Sequence, residues 1–259
     1  MAHLARGDHE SAARWQRHSA SANPQLHATR RFLIAALVPL GRHEEAANIA
    51  KELAMLKDLM PCRDGALTET LAQRNGLIPY CQGIAGFSAA SHPRTTELPL
   101  YAMTIAGFMV MPLKHHHSRP RPWTLMPELV PPIDVPGHPA YPSGHAMTAH
   151  LMAGFMLTLP PEKHPGRDLM CPLAERIAIN REVVGVHHRS DSEAGRIAAE
   201  LALDLAHRAV AYPAADDAAK PLPPSDAAWA ELVLVLKAPE KRSMLATTWS
   251  KAYLEWSPA

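Results

Sequence analysis

Arg181-Glu182-Val183-Val184-Gly185-Val186-His187-His188-Arg189-Ser190-Asp191 is the stretch on which the reading of this chain turns. Helical spacing runs into it over about 173–184, and Gly185 follows, the residue type that most readily ends a helix and lets the chain fold back. On one unbroken helix, six positions would put Arg181 and His187 on different faces. With a break at Gly185, both can face one pocket. His187 and Asp191 lie four apart, so a helical first turn would set the carboxylate beside the imidazole, fixing its tautomer and raising its basicity. Against this, Ser190-Asp191-Ser192-Glu193 matches a capping box, which would leave His187 just ahead of the helix and that contact open. Read alone, the stretch is also an ordinary helix-turn-helix with surface charges. Either way it predicts helices.

The segments around it agree. Ile197, Leu201, Leu205 and Ala209 give the following helix an apolar stripe, and 146–159 forms an apolar helix that Pro160-Pro161 should stop. The stretch 98–113 reads as a core helix. Both apolar segments fall short of the roughly 20 residues needed to cross a bilayer, so they are expected as buried helices and a membrane-spanning protein is not. Between Pro112 and Pro142 the prolines at 120, 122, 127, 131, 132, 136 and 139 predict a long, stiff loop without regular structure. Such a loop inside a domain is uncommon unless it is functional. Upstream, 5–17, 29–40 and 44–59 are helix candidates forming a hairpin. The repeat-like phrase Gly41-Arg42-His43-Glu44-Glu45-Ala46 has no second copy. The tail from Pro213 is rich in Pro, Ala and Asp and holds one helical candidate, 226–236. Scarce aromatics, abundant Ala, Leu and Met, and almost no period-two alternation make the expected fold class all-α. The expected division is an N-terminal helical segment over 1–60, a catalytic core over 61–212 and a tail over 213–259.

A formal net charge of +1 on 259 residues provides no long-range attraction to nucleic acid, so no such partner is expected. Cys62, Cys81 and Cys171 contain no Cys-x-x-Cys pair and indicate neither a disulfide framework nor a thiolate zinc site. The first fifteen residues mix Arg, Asp, His and Glu and do not read as a secretory signal. A soluble, cytoplasmic protein is expected, with a homo-oligomer left open.

Two further segments carry candidate chemistry. Lys114-His115-His116-His117-Ser118-Arg119-Pro120-Arg121-Pro122 packs cations at the end of an apolar helix. Such a run is usually a solvated edge, but prolines on both sides of Arg121 restrict the backbone that presents its guanidinium. Tyr141-Pro142-Ser143-Gly144-His145 leads into a helix, where Gly144 allows close backbone approach and the first free amides point at any anion placed there.

Together, Lys114-x6-Arg121-Pro122, Pro142-Ser143-Gly144-His145 and Arg181-x5-His187-x3-Asp191 occur in the order and at the spacings that resemble the type-2 phosphatidic acid phosphatase and vanadium haloperoxidase superfamily. The resemblance covers 114–191 and, more loosely, the neighbouring helices. It implies a helical bundle of that type with a preceding helical hairpin. It also implies His187 as the nucleophile on phosphorus, giving a phosphohistidine, with Asp191 orienting it and His145 protonating the leaving oxygen. Lys114, Arg121, Ser143, Gly144 and Arg181 would hold the oxyanion, and no metal would be needed. Asn180 stands where the family usually has Ser, which touches a supporting contact. The same pocket holds vanadate in the haloperoxidases, with His187 as its ligand and peroxide plus halide as substrates. The stretch His138-Pro139-Ala140-Tyr141-Pro142-Ser143-Gly144-His145 looks more like those enzymes, although His138 also reads as a plain loop residue. The compact layout favours a phosphatase acting on a small phosphorylated substrate. A metal hydrolase built on the sixteen histidines fits less well, because adjacent histidines cannot easily face one ion and no His-Glu-x-x-His pattern is present.

Overall fold

Helix-favouring residues at three- and four-residue spacing, without β-branched alternation, lead to the all-α chain expected. The computed structural model describes residues 43–159, 166–211 and 244–256, and every regular element among them is helical. The elements are α1 (His43–Leu59), α2 (Arg63–Asn75), α3 (Ile78–Ala85), α4 (Leu98–His117), α5 (Pro122–Leu125), α6 (Gly144–Leu157), α7 (Met170–Val183), α8 (Arg189–Ala211) and α9 (Met244–Trp256). The helix expected over 44–59 is α1; the candidates at 5–17, 29–40 and 226–236 lie outside the described residues.

The described residues fall into two units that interleave along the chain: 43–75, 109–146 and 176–195 in one, and 76–108, 147–159, 166–175, 196–211 and 244–256 in the other. In the first, Ile49, Leu53 and Leu56 of α1 pack on Leu125, Met126 and Leu129, which come from α5 and the turn after it. Each such buried aliphatic side chain contributes roughly 1.5–3 kcal/mol. At the head of α2, Arg63 donates from Nε to the Val183 carbonyl at 3.0 Å and from Nη1 to that of Val130 at 3.1 Å, and Nη2 reaches the Leu129 carbonyl. This ties the end of α7 to the proline-rich segment. In the second unit, α9 was not foreseen from the sequence. Its Trp249 meets Phe155 edge-on at 4.8 Å and donates from Nε1 to Thr158 at 2.7 Å. The Glu255 carboxylate accepts the Arg94 and Thr95 amides at 2.8 and 2.9 Å.

Three expectations need correction. Helix α4 does not stop near Leu113: Pro112 lies inside it, where a missing N–H costs one hydrogen bond, and the helix continues to His117. Nor is it a wholly buried core helix. Leu100, Met103, Phe108 and Met111 are exposed, Phe108 at 83%, and within 95–125 a helix is long and apolar enough to cross a membrane by length and composition. The 112–142 segment, expected without regular structure, contains α5 and the 3-10 turn Pro127–Leu129. Each opens on a proline, which suits the first helical position because no partner is needed for its absent N–H. Finally, the large residues of the α8 stripe face outward, with Ile197, Leu201 and Leu205 exposed at 50, 58 and 56%. The buried side is Ala198, Ala199, Ala202, Ala206 and Val210, small residues that allow close helix approach.

Candidate active site

The stretch at 181–191 folds back at Gly185, as its sequence suggested. Gly185 has φ +74°, a left-handed conformation that favours glycine; its amide donates to the Glu182 carbonyl at 2.8 Å, and the Val186 amide to that of Arg181 at 3.1 Å. The next helix starts at Arg189 rather than after a Ser190 cap. Asp191 performs the reach-back expected of Glu193: its Oδ2 accepts the His188 amide at 2.9 Å. The same Oδ2 lies 3.2 Å from His187 Nδ1, so the carboxylate does meet the imidazole. On the other side of the ring, Arg121 Nη1 lies 3.1 Å from His187 Nε2. A guanidinium can only donate. The ring therefore carries its proton on Nδ1, donating to Asp191, and leaves the Nε2 lone pair facing Arg121.

Lys114, in the last turn of α4, donates from Nζ to the carbonyls of Pro139 and Ala140 at 2.9 and 2.8 Å. Arg121 donates from Nη1 to Val186 O at 2.7 Å and from Nε to His138 O at 3.2 Å, with Nη2 3.2 Å from His138 Nδ1. His138 is thus held against a site cation. Arg181 donates from Nη1 to Thr70 O at 3.2 Å, while its buried Nε has no hydrogen-bond partner. Lys114, Arg121 and Arg181 are only 1, 3 and 2% exposed, yet among the described residues none has a carboxylate at ion-pair distance. Their hydrogen bonds go to carbonyls, so no carboxylate directly contacts these three basic groups in the buried space, although the Asp191 charge acts on Lys114 and Arg121 from farther off.

Ser143 caps α6, its Oγ accepting the Ala146 amide at 3.3 Å, and its own amide donates to the Asp191 carbonyl at 2.9 Å. The cap leaves the first amides of α6, including Gly144 and His145, without an intrahelical acceptor. The Tyr141–Pro142 peptide bond before it is cis. Asn180, buried, donates from Nδ2 to Gln73 Oε1 at 3.0 Å. It ties α7 to α2.

Electrostatics separate the site groups. Burial and the charge of Arg121 push His187 well below the ordinary imidazole value, with the Asp191 hydrogen bond acting the other way. Burial, then the charges of Arg181, Arg121 and Lys114, push His145 down to about 3, opposed by a hydrogen bond to the Gln73 carbonyl. Burial and Arg121 bring Lys114 down to about 7. Burial raises the Asp191 carboxyl by itself, but the Arg119 guanidinium and the His187 hydrogen bond outweigh it and hold Asp191 far below its usual range.

Sequence reasoning missed the anchors from α1 and α2. Glu52, Arg63, Thr70 and Gln73 all bond to residues of the site segments, but no spacing links them to a motif. Arg119 was legible only as one cation in a basic run, although its Nη1 donates to Asp191 Oδ1 at 2.6 Å. Among the described residues no three His, Cys, Asp or Glu side chains are grouped to hold a metal ion.

No curated protein matches the chain. Residues 98–214 match the PAP2 superfamily, and that span contains each motif residue described above. On this match and the all-α fold, residues 98–214 are similar to the PAP2 superfamily, whose general character is that of a phosphatase-type enzyme.

Proposed function

We propose that this protein is a metal-independent phosphomonoester hydrolase that works through a phosphohistidine on His187. The observation that carries the reading is the meeting of three buried cations, unmatched by carboxylates, with a histidine whose unprotonated Nε2 faces one of them. A phosphate dianion would supply the missing negative charge. Lys114, Arg121 and Arg181, with the Ser143 hydroxyl proton and the Gly144 amide, would hold its oxygens and the charge spread over them in the transition state. His187 Nε2 forms a bond to phosphorus as the P–O bond to the leaving group breaks, and Asp191 stabilises the cationic ring that results. His145 gives its proton to the departing oxygen. In the second half, His145 takes a proton from water, the water oxygen bonds to phosphorus, and the P–N bond breaks to release inorganic phosphate.

The low proton affinity of His145 belongs to the empty pocket. Burial is its largest cause, and the charges of Arg181, Arg121 and Lys114 add to it; a bound dianion would offset the part due to the cations and raise the proton affinity of the acid.

His138 Nδ1 beside Arg121 favours a second reading, a vanadate-dependent haloperoxidase. The donor set suits vanadate as well as phosphate: His187 Nε2 would bind it and the same cations would hold its oxygens, and vanadate would supply the Lewis acid that activates peroxide. The discriminating experiment assays p-nitrophenyl phosphate hydrolysis beside bromide oxidation by peroxide after vanadate loading. We expect hydrolysis without added metal, unaffected by EDTA and inhibited by vanadate. Robust bromide oxidation with negligible hydrolysis would reverse the order of the two readings, and loss of hydrolysis in EDTA would favour a metal enzyme.

A further inference from the structure

Asp191 is held from two sides. Its Oδ2 serves His187 and the His188 amide, and its Oδ1 accepts Arg119 Nη1 at 2.6 Å. The same Nη1 donates to Ser190 Oγ at 2.7 Å, and Arg119 Nη2 donates to Glu52 Oε2, also at 2.7 Å. Glu52 Oε1 in turn accepts the Ser190 amide at 2.7 Å, and its Oε2 lies 3.9 Å from His188 Nδ1. One carboxylate on α1 therefore grips both the guanidinium that holds Asp191 and the backbone just before it. The helix that carries Glu52 is anchored by Ile49, Leu53 and Leu56 in their apolar cluster. Residue 52 lies outside the span matched to the superfamily.

We propose that Glu52, acting through Arg119, is the positioning residue for the Asp191–His187 pair, so that helix α1 completes the active site. The kinetic consequence rests on reading His187 as the nucleophile. Between two carboxylates, the Arg119 guanidinium is shared. Without the charge of Glu52 it would turn wholly to Asp191, draw that carboxylate's charge away from the imidazole, and loosen the orientation that keeps the proton on Nδ1. Most of this network is buried or nearly so, where a half-satisfied ionic group is costly and its partners rearrange rather than stay unpaired. The pocket cations are untouched by the change.

The test is a double-mutant cycle on the full chain. Glu52→Gln keeps the side-chain shape and an acceptor for the Ser190 amide while removing the charge. By analogy with the outer partners of metal-bound histidines, whose loss costs about 10–100-fold, kcat for p-nitrophenyl phosphate is expected to fall by about tenfold or more. KM and vanadate inhibition should stay within about twofold, since the oxyanion cations are unchanged. In the Asp191→Asn background the same substitution should cost less than about twofold more, because residues acting as a unit are not additive. Glu52→Asp should restore part of kcat. Additive losses, a matched fall in affinity, or unchanged kcat would overturn the proposal. A second readout is independent of turnover: ¹⁵N NMR of the His187 ring should show a proton on Nδ1 in the wild type and mixed tautomers in Glu52→Gln. An unchanged ring would count against the link. If the wild type does not hydrolyse the substrate, the functional reading fails, and the ring spectrum alone decides the role of Glu52. Should Glu52→Gln not fold, Glu52→Asp replaces it: its shorter reach should lower kcat in part with KM unchanged, and an unchanged kcat would overturn the proposal.

Discussion

The turn at 185–191 and the helix start at 143–146 each present a histidine to the pocket, in opposite settings. His187 is clamped: Asp191 takes its Nδ1 proton and Arg121 faces its Nε2. His145 sits buried on the first turn of α6, where the helix dipole is positive; burial and then the charges of Arg181, Arg121 and Lys114 depress it, and no carboxylate acts on it directly. The ring is the same, but the partners assign different chemistry. On the proposed route His187 would attack through its neutral nitrogen, with a carboxylate beside the ring for the charge that follows. Burial and these charges hold His145 unprotonated, and on the proposed route a bound anion would raise its proton affinity by offsetting the cations.

The strongest way to break this comparison is to delete each ring and vary the leaving group. His187→Ala should abolish hydrolysis of aryl and alkyl phosphates alike, by about 10⁴-fold or more, the scale of removing a nucleophile from a unit that acts together. Full turnover by that variant would exclude the phosphohistidine route.

His145→Ala should be smaller and selective. General acid catalysis contributes roughly 10²–10⁴-fold, and that should be lost with alkyl phosphates, whose leaving oxygens need a proton. With p-nitrophenyl phosphate the first step needs little help, so hydrolysis of the phosphoenzyme should become limiting. Rapid-quench mixing should then show a nitrophenolate burst equal to the enzyme concentration. The same loss on both substrates would erase the difference between the two histidines.

How much of this was legible beforehand follows the range of the interactions. The break at Gly185 and the three motif segments are local patterns, and the structure brings Lys114, Arg121, His145 and Arg181 within reach of one another's charge. The His187–Asp191 contact was open because two cap registers fitted the same letters; a helix beginning at Arg189 settles it. Helix α8 misled for a different reason. Its large apolar residues obey helical spacing, but the alanines offset from them obey it too, and periodicity alone does not say which stripe is buried. Helix α4 shows the converse, an apolar segment whose Phe108 is exposed. Glu52 was out of reach for any local reading. It is one of four acidic residues on α1, more than sixty positions from Arg119, and the packing of Ile49, Leu53 and Leu56 brings it there.

The smallest expected effect concerns Lys114, which with Arg121 acts on both histidines. Burial and Arg121 place the Lys114 ammonium near pH 7, so in the empty enzyme it is charged below that value and neutral above. Anion affinity should therefore weaken as pH rises through about 7. Sulfate is the right probe because its own charge is constant there. Its inhibition constant should rise by about tenfold between pH 6 and 8.5, the weight of one charge-assisted hydrogen bond. Lys114→Met should bind sulfate weakly at both ends and flatten the profile. Stability of the ligand-free enzyme should move the other way. The unfolded lysine still binds a proton between about 7 and its ordinary value while the folded one does not, so this group's contribution to stability rises with pH across that window. A melting temperature that rises over the pH range in which sulfate affinity falls would tie both trends to one ammonium. A sulfate constant indifferent to pH in the wild type would mean that Lys114 keeps its proton, and that its charge on the two histidines is as permanent as that of Arg121.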